Sequence, residues 1–203
     1  MEKYAVCFFE KLGVNIREVL RVCAEPPFLQ NGGTGMAELW DVYDVNRAPT
    51  GRTHVRGEPL APGDYHLVGD VWTVNFENKV LLTQRHPSKP KGLMWECTGG
   101  AIQAGESSLC GAVRELREET GLRADPENMY LIHSIRLKDR FVDTYAVRMN
   151  FALPQVVLDE QETVQAILVD WEELLALWAA GKLCPESRFP LYRSALVSFL
   201  KQF

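Results

Sequence analysis

The chain has 203 residues, of which 46% are hydrophobic and 24% charged. That is enough apolar material for one ordinary domain, with or without an extension, and too much for a disordered chain. A net charge of -5, from 27 acidic and 22 basic residues, gives no overall positive field for holding a nucleic acid polymer.

The elements are taken in chain order. Residues 1–37 read as an N-terminal extension, with helical spacing over about residues 15–24 and a Gly-rich joint at Asn31, Gly32, Gly33, Thr34 and Gly35. No apolar run is long enough for a membrane span or an export signal. The five cysteines, Cys7, Cys23, Cys97, Cys110 and Cys184, are odd in number and lack CxxC spacing. They read as reduced thiols, and the expected location is cytoplasmic. Residues 38–203 read as the main domain. Leu39 to Asp44 and Gly51 to Arg56 flank a turn at Asn46 to Pro49, predicting a strand and its return. His66 to Asn75 and Lys79 to Gln84 predict a second hairpin around Glu77 and Asn78. Met129 to Arg136 and Phe141 to Leu153 predict a third, with the charged Lys138, Asp139 and Arg140 between them, and Val164 to Asp170 reads as a further strand. Glu172 to Ala180 and Arg193 to Gln202 have helical periodicity. Strands in the middle with helices inside and at the end give a mixed α/β class.

Between the second and third hairpins lies GAIQAGESSLCGAVRELREETGL, Gly100 to Leu122. A Gly-rich turn feeds a helix with Ser107 or Ser108 as N-cap, an apolar stripe of Leu109, Ala112, Val113 and Leu116, and Gly121 at the C-terminal cap. On a helical wheel at about 100° per residue, Glu115, Glu118 and Glu119 share one face. Like charges at i, i+3 and i+4 destabilise a helix by a few tenths of a kcal/mol per pair, so a cation is expected to offset them. Hard divalent ions such as Mg²⁺ or Mn²⁺ prefer carboxylate oxygen.

At every specified position this segment resembles the signature of the Nudix hydrolases, GX5EX7REUXEEXGU, through Gly100, Glu106, Arg114, Glu115, Leu116, Glu118, Glu119, Gly121 and Leu122. Chance agreement has a probability on the order of 10⁻⁷ at average residue usage. The resemblance implies an α/β/α sandwich with a mixed β-sheet and a loop-helix-loop catalytic motif. It also implies magnesium-dependent hydrolysis of a diphosphate, with a small-molecule diphosphate substrate and, commonly, a homodimer. Glu115, Glu118 and Glu119 match the family's metal ligands, as does the backbone carbonyl of Gly99. Glu106 and Arg114 match a pair that braces loop against helix, while Gly100 and Gly121 match conformational positions. The proton acceptor for the attacking water is Glu115 or Glu118, with Glu160 or Glu162 on a later loop as alternatives.

The upstream context, LWDVYD, TGRTHVRGEPLAPGDYHL and LLTQRH, is similar to the branch containing isopentenyl-diphosphate isomerase. Its Cys-Gly-His run falls here on Gly99, Gly100 and Ala101, so its cysteine and metal-binding histidine are missing; His66 matches another of its histidines. An isomerase-like enzyme and a non-catalytic nucleotide-binding module are therefore the alternatives to a hydrolase. Arg85 and Lys89, on the loop before the motif, are candidates for substrate phosphates. Trp95 and Phe141 are candidates for stacking on a substrate ring.

Overall fold

The computed structural model describes residues 37–185 and 187–202; the helix expected over 15–24 and the joint at 31–35 lie outside them. β1 (Leu39–Tyr43) and β2 (Pro49–Val55) form an antiparallel pair of their own. The Asp44 carboxylate closes their turn by accepting from the Asn46 and Ala48 N–H groups, which lets Arg47 take a left-handed φ of 65°.

The central sheet holds β3 (His66–Val74), β4 (Val80–Arg85), β5 (Trp95–Glu96), β6 (Thr98–Ala101), β7 (Met129–Arg136), β8 (Arg140–Arg148), β9 (Thr163–Val169) and β10 (Leu183–Cys184). Its order is β10-β5-β4-β3-β8-β7, with β6 on the first half of β3 and β9 on β4. The parallel pair β3–β8 runs over the whole of both strands, whereas β3–β6, β4–β9 and β7–β8 are antiparallel, so the sheet is mixed as expected. At the β3–β4 turn Asn75 Oδ1 accepts from the Glu77 and Lys79 N–H groups.

Alternation along the strands sorts side chains to two faces. Val71, Leu81, Tyr145 and Val147 pack on Leu109, Ala112 and Leu116 of helix α1 (Ser108–Thr120). Trp72, Val74, Val80, Leu82 and Ala146 pack on Leu174 of α2 (Trp171–Ala179) and on Phe189, Tyr192, Leu196 and Phe199 of α3 (Phe189–Leu200). Trp72 is the centre of that second layer, with ring centroids of Phe189 and Tyr192 5.7 and 5.9 Å away. Helices on both faces of a mixed sheet make the α/β/α sandwich.

Several boundaries differ from those read in the sequence. The strand expected over 141–153 ends at Arg148; a short 3-10 turn at Leu153–Gln155 follows, where Pro154 has no N–H for a ladder. Helix α3 begins at Phe189 rather than near 193, because Pro190 sits in the first turn, where its missing N–H has no helical partner to lose. Cys97 and Cys184 are free thiols, as read in the sequence, and Cys7 and Cys23 lie outside the described residues.

Candidate active site

Helix α1 is specified locally at both ends. Ser107 is the N-cap and its Oγ accepts from the Cys110 N–H at 3.1 Å. Gly121 adopts a left-handed φ of 70° and its N–H closes on the Arg117 carbonyl at 2.8 Å. Leu109, Ala112 and Leu116 bury the stripe beneath, leaving Glu115, Glu118 and Glu119 to graduated environments. Glu119 is buried, Glu115 is mostly covered, and Glu118 has 48% of its side chain exposed.

Arg114 organises the first two of these acids. Its Nε and Nη2 donate to the two Glu106 carboxylate oxygens at 2.8 and 2.9 Å, and Nη2 also reaches the Ala101 carbonyl at 3.1 Å. That is the expected brace between loop and helix. The remaining nitrogen, Nη1, donates to Glu115 Oε1 and Glu118 Oε2, both at 2.9 Å. Burial opposes the guanidinium charge, yet the Glu106 hydrogen bonds and the neighbouring carboxylates hold its pKa above the ordinary value. Among the described residues no three His, Cys, Asp or Glu side chains already stand where they could hold a metal ion together. Arg114 is the cation that offsets Glu115 and Glu118.

Gly100 shows why the loop must approach so closely. A Cβ there would lie 2.4 Å from the Glu115 carboxyl carbon, so any side chain would displace the acid. Gly99 lies beside the third acid, its N–H donating to Glu119 Oε2 at 3.4 Å. Burial, then the fields of Glu96 and Glu115, push the Glu119 pKa up to about 8. Burial also raises Glu115, opposed by Arg114. The carboxyl oxygens of Glu115 and Glu119 beside a backbone turn are hard donors of the kind Mg²⁺ or Mn²⁺ takes, so their chemistry fits such a cation.

Glu96 is the residue that sequence reasoning missed. It alternates with Trp95 and Cys97, which pack toward the α2 and α3 side, so its carboxylate lies on the α1 side, near enough to raise Glu119. Burial raises its own pKa against the pull of Arg85. The signal was the alternation in WECTGG. Arg85 donates to Glu96 and, through Nε, to the Pro90 carbonyl at 3.0 Å, while Lys89 pairs with Glu162. Both cations therefore border the acids, although each is engaged. Trp95 is half-buried against the aromatic layer. Phe141 is 7% exposed, tilted against Tyr65, with the Arg47 guanidinium 5.6 Å from its ring centroid.

The isomerase-like features also find their places. Cys97 is buried in the aromatic layer, and that burial raises its thiol pKa well above the ordinary value, the reverse of an activated nucleophile. His66 is buried, stacks on Trp40 at 4.1 Å, and has its pKa lowered to about 4 by burial and Arg140. A separate buried network meets at Asp143, whose oxygens accept from Arg47, Ser134 and Ser108, tying the β1–β2 turn to the start of α1.

Comparison with known proteins agrees with this geometry. The family model of the NUDIX domain matches residues 64–188. An uncharacterized Nudix hydrolase of Listeria monocytogenes is 34% identical over 151 residues, covering 73% of this chain and 89% of the relative. The CTP pyrophosphohydrolase of Escherichia coli is 33% identical over 73 residues, 36% of this chain and 54% of the relative. In fold, the crystal structure of DR0079 from Deinococcus radiodurans superposes with a TM-score of 0.64 at 22% identity, over 78% of this chain and 99% of that one. With the domain match spanning more than half of its length and the acids of α1 standing on the expected loop-helix-loop, the chain belongs to the Nudix family of hydrolases, which act on phosphorus-containing acid anhydrides.

Proposed function

We propose that this protein is a Mg²⁺-dependent pyrophosphohydrolase that cleaves the diphosphate linkage of a small organic or nucleoside diphosphate derivative, with Mn²⁺ able to substitute. One observation carries the reading: two carboxylates of α1, Glu115 and Glu119, lie against the Gly99–Gly100 turn, the inner one with its pKa pushed up to about 8, and Glu118 is joined to Glu115 through Arg114. The E. coli relative's name, CTP pyrophosphohydrolase, supports a nucleotide-linked substrate.

Glu115, Glu118 and Glu119, with the Gly99 carbonyl, are the residues that would hold the cation. When bound, it neutralises the diphosphate and makes a coordinated water more acidic. Glu115 or Glu118 would be the group that takes a proton from the attacking water. Glu118 is the more open of the two, and Glu115 is held in place by Arg114. Arg114 uses separate nitrogens for the two jobs, Nε and Nη2 for the paired hydrogen bonds to Glu106 and Nη1 for Glu115 and Glu118. Arg85, at the end of β4, and Lys89, on the loop after it, border the acids and are assigned to substrate phosphates. The domain is taken as residues 38–203, with 1–37 as an extension. Isomerisation is disfavoured by the position and protonated state of Cys97, and a purely binding role by the retention of every acid.

The test is a screen of purified protein with Mg²⁺ against nucleoside diphosphate derivatives, dinucleoside polyphosphates, oxidised deoxynucleoside triphosphates, thiamine diphosphate and isopentenyl diphosphate. Cation-dependent release of phosphate, diphosphate or a nucleoside monophosphate is the expected result. Proton exchange into isopentenyl diphosphate without phosphate release would replace hydrolysis with isomerisation.

A further inference from the structure

Behind the Gly99 turn, on the side of the sheet away from α1, lies an ion pair that neither the signature nor the mechanism uses. Asp70, in β3, is paired through the ladder with Gly99 of β6 and is buried, at 6% exposure. Its Oδ2 accepts from Arg188 Nη1 at 2.7 Å, with the two side chains 9% and 17% exposed. Arg188 stands at the start of α3, and the next residue, Phe189, is buried against Trp72 and Tyr192. The fork of Arg188 is thus delivered by the packing of the C-terminal helix.

Contact between this pair and the turn is tight. A Cβ on Gly99 would lie 2.9 Å from Asp70 Cα and 3.0 Å from Asp70 Oδ1, while the Gly99 N–H faces Glu119 on the other side. The Gly99 backbone is held between a buried carboxylate that is neutralised from α3 and a buried carboxylate of α1. A buried carboxylate stripped of its cation must take up a proton, admit water or move. Each response displaces the strand segment on which Gly99 lies.

We propose that Arg188 is a positioning residue of the active site: through Asp70 it fixes the Gly99 backbone against the acids of α1, so that the C-terminal helix sets the site's affinity for divalent cations. This rests on the proposed cation site. Mn²⁺ binding to the full chain without substrate, followed by electron paramagnetic resonance, gives a readout independent of turnover. The variants are Arg188→Lys, Arg188→Met and the charge-neutral pair Asp70→Asn/Arg188→Met, each with its melting temperature. Arg188→Met is expected to weaken Mn²⁺ binding at least about tenfold, because the Asp70 charge is left uncompensated. Arg188→Lys is expected to weaken it about threefold, since it keeps the charge but loses the planar fork. The double variant is expected to recover to within about threefold of wild type, its buried charge having been removed together with its partner.

Wild-type affinity in folded Arg188→Met or in Arg188→Lys overturns the proposal. A double variant as impaired as Arg188→Met also overturns it, because Arg188 would then act directly and not through Asp70. If Arg188→Met does not fold, Arg188→Lys and the double variant carry the test. Loss of the proposed function itself looks different: wild-type protein would then show no saturable Mn²⁺ site, or one indifferent to Glu118→Gln/Glu119→Gln.

Discussion

The two faces of the central sheet are built on opposite terms. Toward α2 and α3 the sheet meets an aromatic and aliphatic layer in which Trp72, Leu174, Phe189, Tyr192 and Leu196 are almost wholly removed from water. Toward α1 a narrower apolar stripe of Leu109, Ala112 and Leu116 supports a rim of acids, two of which, Glu115 and Glu119, are held above their ordinary pKa by burial. One face stores stability, and the other carries a cost that Arg114 offsets in part, at Glu115 and Glu118. Removing side chains should therefore move stability on the first face and chemistry on the second.

The largest expected effect falls on the apolar face. Leu196→Ala should destabilise the fold by about 2–5 kcal/mol, as large-to-small core substitutions do, with the rate of the folded fraction retained. Urea unfolding followed by circular dichroism measures the first and specific activity the second; a collapse of activity in folded protein would join the two faces. Next, Glu119→Gln should lower the hydrolysis rate at least about 100-fold, roughly 3 kcal/mol on the barrier. Its effect on stability has the opposite sign. The Glu119 pKa is about 8 in the fold against an ordinary 4.5, so the cation-free wild type loses stability as pH rises from 4.5 through 8. At pH 8 and above Glu119→Gln should melt higher than wild type in chelator; a lower melting temperature would mean the acid is not buried at a cost.

Gly100→Ala should lower the rate by about 10- to 100-fold, because its Cβ would meet the Glu115 carboxylate and sub-ångström misplacement of reacting groups is costly. Unchanged kinetics would show that Glu115 is free to move aside. The smallest effect concerns the hairpin side of the molecule. The pKa of His66 is lowered to about 4 from 6.5, so its contribution is complete above 6.5 and is lost as pH falls toward 4. Stability should fall by about 1 kcal/mol between pH 7 and pH 5.5, and His66→Phe, which keeps a ring against Trp40, should remove that dependence in melts across this range.

The contrast between the faces also explains what was legible in the sequence. The α1 segment was read to within a residue because its instructions are local: Ser107 as cap, the stripe at helical spacing, Gly121 as stop. The hairpins β3–β4 and β7–β8 were read for the same reason, their turns being marked by Glu77 and Asn78 and by Lys138 to Arg140. Short strands β5, β6 and β10 were not, since two to four residues carry too little periodicity and exist only through their pairing partners. The parallel pairing of β3 with β8 joins segments far apart in the chain, and no local pattern announces it. At the site, the α1 acids, Arg114 and the glycines stood in one contiguous motif. Glu96, Asp70 and Arg188 come from three separate segments and converge only through the sheet. Phe141 packs on Tyr65 and Trp95 is half-buried against the α3 layer, neighbours that their places in the sequence do not announce.

The central claim is that the acids of α1, acting with a hard divalent cation, hydrolyse a phosphoanhydride. It is tested most directly by comparing wild type with Glu118→Gln/Glu119→Gln at saturating Mg²⁺, on a substrate selected by the screen, with both proteins shown to be folded by their melting curves. The account predicts hydrolysis by wild type that stops when Mg²⁺ is chelated, and a loss of at least about 1,000-fold in the double variant. A double variant that turns over at the wild-type rate contradicts it.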